Sequence, residues 1–162
     1  MVMTADRIEK QALLTAPLGR VWDAISDSRK FGSWFGMEVD GPFVEGEAVS
    51  GVIIETSVDD AIAEQQRPYV GEPVTLWIVA VEPQRRFAFR WNALPGPEFA
   101  GLTTLVEFTL TEGDGGVLLQ IVESGFDKLP DSHRDKTFHG NSEGWAIQVQ
   151  LVATYLALEA PR

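Results

Sequence analysis

Alternation of apolar and polar residues dominates the middle of the chain and predicts a series of β-strands. The predicted strands are 7–17, 37–57 with a break at Gly41-Pro42, 74–83, 85–93, and a pair within 103–126. A tight turn at Pro83-Gln84 and a glycine-rich turn at 112–116 join neighbouring strands directly. Such short connections favour an antiparallel sheet.

Apolar residues at helical spacing predict helices on either side of this strand region. Residues 17–27 repeat apolar side chains every three to four positions, with Thr15 and Pro17 predicted to form the cap and first turn. A short second helix or turn spans 28–36, and a long helix covers 131–159. One narrow stripe of the long helix contains Phe138, Asn141, Trp145, Val149, Val152 and Leu156.

The order of these elements predicts an α+β fold and a single domain over 1–162. We expect a curved antiparallel sheet of about six or seven strands wrapped around the long C-terminal helix, with two short helices after the first strand. Where helix and sheet separate at one end, a cavity would remain between them. The polar segment 57–73 is predicted to be a long loop, a feature that is often functional or mobile.

Composition narrows the range of partners. The 162-residue chain has a formal net charge of −11, which opposes binding to phosphate backbones or anionic membranes. It has no cysteine, so disulfides and thiolate metal sites are excluded. The sequence shows neither a secretory signal nor an apolar run long enough for a membrane span. We therefore expect a cytoplasmic protein with no nucleic-acid binding and no membrane insertion.

Several short motifs occur in an order that resembles a known superfamily. They are APLGRVWDAISD (16–27), WFG (34–36), VEPQRRFAFRW (81–91), TTLVEFTL (103–110), VESGF (122–126) and EGW (143–145). Together they resemble the START-like, or SRPBCC, helix-grip superfamily of polyketide cyclases and lipid-transfer domains. The branch they are most similar to is the homologues of the activator of heat-shock-protein-90 ATPase. This resemblance implies the helix-grip form of the α+β fold.

The resemblance also bears on the last strand, where pattern alone leaves both faces as candidates for the interior. The two faces are Leu119, Ile121 and Glu123, and Leu118, Gln120 and Val122. Members of the superfamily often carry a polar residue immediately before the SGF motif, on the face turned towards the long helix. That residue is Glu123 here, so the resemblance implies that Glu123 and its face point inward.

Aromatic and apolar residues on the inward faces are compatible with a ligand pocket and equally with ordinary core packing. The candidate ligand-binding residues are Trp34, Phe87, Phe89, Trp91, Phe108, Ile121, Glu123, Phe138, Asn141, Trp145 and Val149. Glu123 and Asn141 are the polar exceptions, and they could contact each other, a ligand or water.

Catalytic and metal-binding signals are few. A buried Glu123 would be a candidate acid or base, and it is the only catalytic candidate. His133 and His139 are six residues apart and do not share a helix face, and no metal-binding motif is present. We expect neither a metal nor a cofactor.

The main functional hypothesis is binding of a small hydrophobic ligand between the sheet and the C-terminal helix. The ligand would be neutral or cationic, because an inward carboxylate disfavours anions. One alternative is a protein-interaction module related to chaperone ATPase activators, which would expose an apolar patch. Another is a cyclase-like enzyme using Glu123 as acid or base, which would place Glu123 beside His139 or Arg90. Monomer and homodimer both remain open.

Overall fold

The computed structural model describes residues 6–158, which contain one seven-stranded antiparallel sheet and four α-helices. The strands are β1 (Arg7–Leu14), β2 (Met37–Val39), β3 (Ala48–Ile53), β4 (Pro73–Glu82), β5 (Arg86–Asn92), β6 (Thr103–Gly113) and β7 (Gly116–Ser124). The helices are α1 (Leu18–Ser26), α2 (Ser28–Phe35), α3 (Asp60–Gln66) and α4 (Asp131–Leu158). The sheet order is β1-β7-β6-β5-β4-β3-β2. The expected α+β helix-grip fold is confirmed.

The long helix α4 packs its apolar stripe against the inner face of the curved sheet. Trp145, Val149 and Val152 join the same buried cluster as Phe108 and Ile121 of the sheet. This packing buries both apolar surfaces together, which accounts for the position of the helix. Within residues 6–158, no helix is long and apolar enough to cross a membrane.

The inner face of β7 is the one that the superfamily resemblance implies. Leu119, Ile121 and Glu123 are each 0% exposed, whereas Leu118 and Gln120 on the opposite face are only half-buried. Val122 on that opposite face is also buried, at 8% exposed. A one-residue shift would exchange these faces, so the pairing register of β7 with β6 places Glu123 in the interior.

The beginning of α1 differs from the predicted cap. Pro17 is the N-cap residue and lies in an extended conformation, with no side chain capping the helix. Its carbonyl oxygen accepts the first backbone hydrogen bonds, from Arg20 and Val21. The prediction that Thr15 caps this helix is therefore wrong. The predicted second helix is confirmed as α2, capped by the Asp27 carboxylate and ended by Gly36 at φ +92°.

The predicted long loop at 57–73 is wrong, because it contains α3 and a 3-10 turn at Arg67–Tyr69. Asp59 begins α3 by accepting a hydrogen bond from the Ile62 amide at 3.0 Å. At the other end, the Gln66 side chain bonds the Thr56 amide and the Phe35 carbonyl. A helix this short depends on such tertiary contacts, which its sequence pattern does not reveal.

Candidate functional site: a buried carboxylate and the adjoining cavity

The carboxylate of Glu123 is the centre of a buried hydrogen-bond network between the sheet and α4. On one oxygen, Oε2, it accepts bonds from the Trp91 indole at 2.8 Å and the Thr104 hydroxyl at 2.5 Å. On the other, Oε1, it accepts bonds from the Asn141 amide and the Trp145 indole, both at 2.9 Å. The glutamate side chain is thereby tied to two strands and one helix.

Strand register and helix periodicity explain why these groups meet. Trp91 pairs directly with Thr104 across β5 and β6, and Val106 pairs with Glu123 across β6 and β7. Thr104 is thus a diagonal neighbour of Glu123 on the inner face, within reach of its side chain. Asn141 and Trp145 are four residues apart on α4, so they project from one face of that helix.

The geometry of the network suits an ionised carboxylate that holds the structure together. Four donors match the roughly four lone-pair positions of an ionised carboxylate. A general acid or base must exchange a proton with its substrate, whereas Glu123 is 0% exposed and surrounded by its donors. Neither His139 nor Arg90 is among its four partners. The acid–base alternative therefore gains no support from this arrangement.

Most of the aromatic residues that were predicted to line a pocket pack against one another in the interior between the sheet and the helices. Phe87, Phe89 and Phe108 are each 0% exposed. The ring of Phe31 from α2 packs against all three, with centroid distances of 6.3, 6.5 and 6.2 Å respectively. Trp34 is also 0% exposed and donates its indole N–H to the Ala24 carbonyl. The space between sheet and helices is largely filled by these rings.

The sequence interpretation named Trp34 of α2 as a candidate but missed Phe31, which lies in the same interior. Phe31 and Phe35 are four residues apart, and their rings stack at 4.8 Å. That helical spacing was a usable signal for two more inward aromatic side chains. Of the other candidates, Phe138 packs against Phe126 at 5.2 Å, and Ile121 and Val149 lie in the core.

A cavity of about 120 Å³ opens between the first half of α4 and the sheet, beside the Glu123 network. We call it the α4 cavity. Its lining residues are Phe35, Trp91, Gly140, Asn141, Gly144, Trp145 and Gln148. Trp91, Asn141 and Trp145 were predicted ligand-binding residues, and the structure brings these three together. The predicted separation of helix and sheet at one end thus corresponds to a small opening.

Two glycines form the helix side of the α4 cavity. A Cβ atom added at Gly140 or Gly144 would meet nothing within 4 Å, so neither glycine is required by close packing. Each nevertheless costs about 1 kcal/mol of helix stability relative to alanine. Their positions, four residues apart on α4, leave open space above the two lining tryptophans.

Gln148 completes the lining and has one unusual atom. Its Nε2 donates to the Phe35 carbonyl at 3.1 Å, which fixes the orientation of the amide because only the NH₂ group can donate there. The other end, Oε1, is buried and has no hydrogen-bond partner among the described residues. Nothing in the sequence pattern distinguishes Gln148 from the polar residues of the exposed helix face.

A larger depression, of about 520 Å³, lies between the α1–α2 junction and the connection from β2 to β3. Its lining includes the charged residues Asp27, Arg29 and Asp40 as well as apolar residues such as Phe43. Asp27 already accepts the first amides of α2, at Arg29 and Lys30. In contrast to the α4 cavity, this depression contains no buried polar atom that lacks a partner among the described residues.

The curved antiparallel sheet packed against a long C-terminal helix defines a START-like helix-grip domain. More specifically, the family model described as "Activator of Hsp90 ATPase homolog 1-like protein" matches residues 15–157, and the chain belongs to this family. No curated protein matches the chain significantly.

Solved structures show the same fold at low sequence identity. DynU16, a protein of the dynemicin biosynthetic locus, is 25% identical with a TM-score of 0.69, over 98% of this chain and 49% of its own. The present chain therefore spans about half the length of DynU16. MLL2253 from Mesorhizobium loti is 21% identical with a TM-score of 0.72, over 96% of this chain and 99% of its own. The Aha1 dimer from Colwellia psychrerythraea is 14% identical with a TM-score of 0.64, over 94% and 96%.

Proposed function

We propose that this protein binds a small hydrophobic ligand at the α4 cavity. The main supporting observation is that two helix glycines and three aromatic side chains line the same opening. No other atom occupies the space where the side chains of these glycines would lie. The aromatic residues are Phe35, Trp91 and Trp145. Sites for small molecules are typically concave and apolar with a few placed polar groups, and Asn141 and Gln148 supply such groups here.

The size of the cavity restricts the ligand. An apolar cavity of about 150 Å³ can hold benzene. The α4 cavity, at about 120 Å³, therefore suits a single ring or a branched group of similar size. Any larger ligand would place only one such group inside and leave the remainder at the surface.

The Glu123 network is proposed to support this site without contacting the ligand directly. It holds Trp91 and Trp145 by their indole nitrogens, and their rings lie 5.6 Å apart. Phe89 packs against Trp91 at 5.4 Å, and Phe108 packs against Trp145 at 5.8 Å. Such preorganisation lowers the conformational entropy lost on binding.

The test is an NMR titration with toluene, following the indole N–H signals of Trp91 and Trp145. We expect both signals to shift in the wild-type protein. The shifts should disappear in Gly144→Leu, whose side chain would fill the opening. Ala146→Leu is the matched control, because residue 146 is exposed on α4 and does not line the cavity.

Equal shifts in wild type and Gly144→Leu would contradict the proposed site. If the wild-type signals do not move at all, the interaction-module alternative becomes the better account. That alternative draws support from Trp77 and Val79, which are 37% and 42% exposed along β4.

A further inference from the structure

We infer that the group bound in the α4 cavity is an ammonium that retains at least one N–H. This inference rests on the proposed function, because it assigns the chemical class of the ligand at the same site. Three properties of the lining support it: the aromatic side chains, the local charge and the unpaired acceptor of Gln148.

The aromatic lining provides a suitable environment for a cation. Phe35, Trp91 and Trp145 are mutual neighbours, with centroid distances of 6.2 Å (Phe35–Trp91), 6.0 Å (Phe35–Trp145) and 5.6 Å (Trp91–Trp145). Clusters of aromatic side chains recognise ammonium groups through the negative potential of their ring faces, and tryptophan is the most effective. Two of the three rings here are tryptophan.

The charges around the cavity favour a cation over an anion. Both indole N–H groups are directed at the Glu123 carboxylate, which places an anion at the positive edge of each ring. No lysine, arginine or histidine is among the lining residues. The formal net charge of −11 adds a long-range field of the same sign.

The unpaired acceptor, Gln148 Oε1, favours cations that carry an N–H group over cations that do not. Gln148 Oε1 is buried without a partner among the described residues, and a buried carbonyl oxygen favours a ligand that donates a hydrogen bond. Because Oε1 is closed to water, a protonated primary, secondary or tertiary amine can donate to it only after the Gln148 amide turns towards the opening, and its carbon groups then contact the rings. A quaternary ammonium has no N–H and would leave Oε1 unpaired.

The experiment compares three probes of similar size at pH 7 by the same indole NMR titration: trimethylammonium, tetramethylammonium and tert-butanol. We expect trimethylammonium to bind about tenfold more tightly than tert-butanol, as a cation–π contribution predicts. It should also bind several-fold more tightly than tetramethylammonium. In Gln148→Met, which lacks the carbonyl, the difference between the two ammonium probes should disappear. The comparison in wild type alone decides the question if this variant does not fold.

The possible results separate this inference from the proposed function. If toluene binds but trimethylammonium is no better than tert-butanol, the cation inference is overturned and the site remains. If the two ammonium probes bind equally in wild type, the assignment of a donor to Gln148 is overturned. If neither toluene nor any probe shifts the indole signals, both the inference and the proposed function fail.

Discussion

At Glu123, four hydrogen bonds offset the cost of removing a carboxylate from water. Breaking such a network from one side is more costly than its net contribution suggests, because the remaining groups stay buried without partners. The role of the Glu123 carboxylate can therefore be tested by measuring the free energy of unfolding of a Glu123 variant. Its contacts connect β5, β6 and β7 to the first half of α4.

We expect Glu123→Gln to lower the free energy of unfolding by about 3 kcal/mol. The new amide NH₂ would face groups that are themselves donors, and the attraction of the carboxylate charge would be lost. Urea unfolding measures the change. Glu112→Gln, at an exposed position on β6, is the control and should stay within about 0.5 kcal/mol of wild type. Equal effects of the two substitutions would show that the network contributes little.

At the scale of the element, glycines in two helices have opposite roles. Gly140 of α4 borders open space, whereas a Cβ atom at Gly32 of α2 would lie 2.0 Å from the Met37 carbonyl oxygen. The first glycine can be replaced without a clash, and the second allows α2 to lie directly against the chain entering β2. Helix propensity decides the effect of substitution in α4, and steric contact decides it in α2.

Gly140→Ala should raise the free energy of unfolding by up to about 1 kcal/mol, the difference in helix propensity between the two residues. Gly32→Ala should lower it, because the backbone of α2 or of Met37 would have to move. Thermal or urea unfolding of the two single variants provides the comparison. A destabilised Gly140→Ala protein would indicate that the helix wall of the α4 cavity is already crowded.

At the scale of the whole molecule, acidic residues outnumber basic ones, and ion pairs between the two kinds of residue stabilise the sheet. These ion pairs should weaken in acid, because carboxylates become protonated there. Arg86 bonds Glu107 and Glu82, and Arg85 also bonds Glu82. Hydrogen bonds from Arg85 and then Arg86 lower the pKa of Glu82 below its ordinary value of 4.5. The Glu107 contact raises the pKa of Arg86. These contacts join β4, β5 and β6.

The contribution of Glu82 should be present above pH 4.5 and lost as the pH falls through its lower value in the folded protein. The wild-type urea midpoint should therefore fall with acidification. The Glu82→Gln midpoint should be lower at neutral pH and fall less steeply. Measuring both midpoints from neutral pH into the acid range tests this. Parallel curves would mean that Glu82 contributes no pH dependence.

The inward direction of Glu123 could be predicted because a family resemblance resolved two equivalent strand faces. The packing of the interior could not be predicted in the same way. Alternation shows which face of the sheet Phe87 and Phe89 occupy, but it does not show whether another ring packs against that face. Phe31 packs there, from a helix whose docking is a tertiary property. Gln148 could not be predicted either, for the same reason. The bond from its Nε2 to the Phe35 carbonyl determines where the unpaired Oε1 lies, and that bond depends on how α2 packs against α4.

The position of β1 at one edge of the sheet has a consequence for synthesis on the ribosome. Among the described strands, β1 pairs only with β7, so Arg7 lies opposite Ser124. The first strand therefore emerges long before its partner exists, while α1 and α2 are already complete. Pairing across so many residues is slow because the intervening chain must be ordered first. During translation, β1 would remain an unpaired edge available to chaperones until almost the whole sheet has been made.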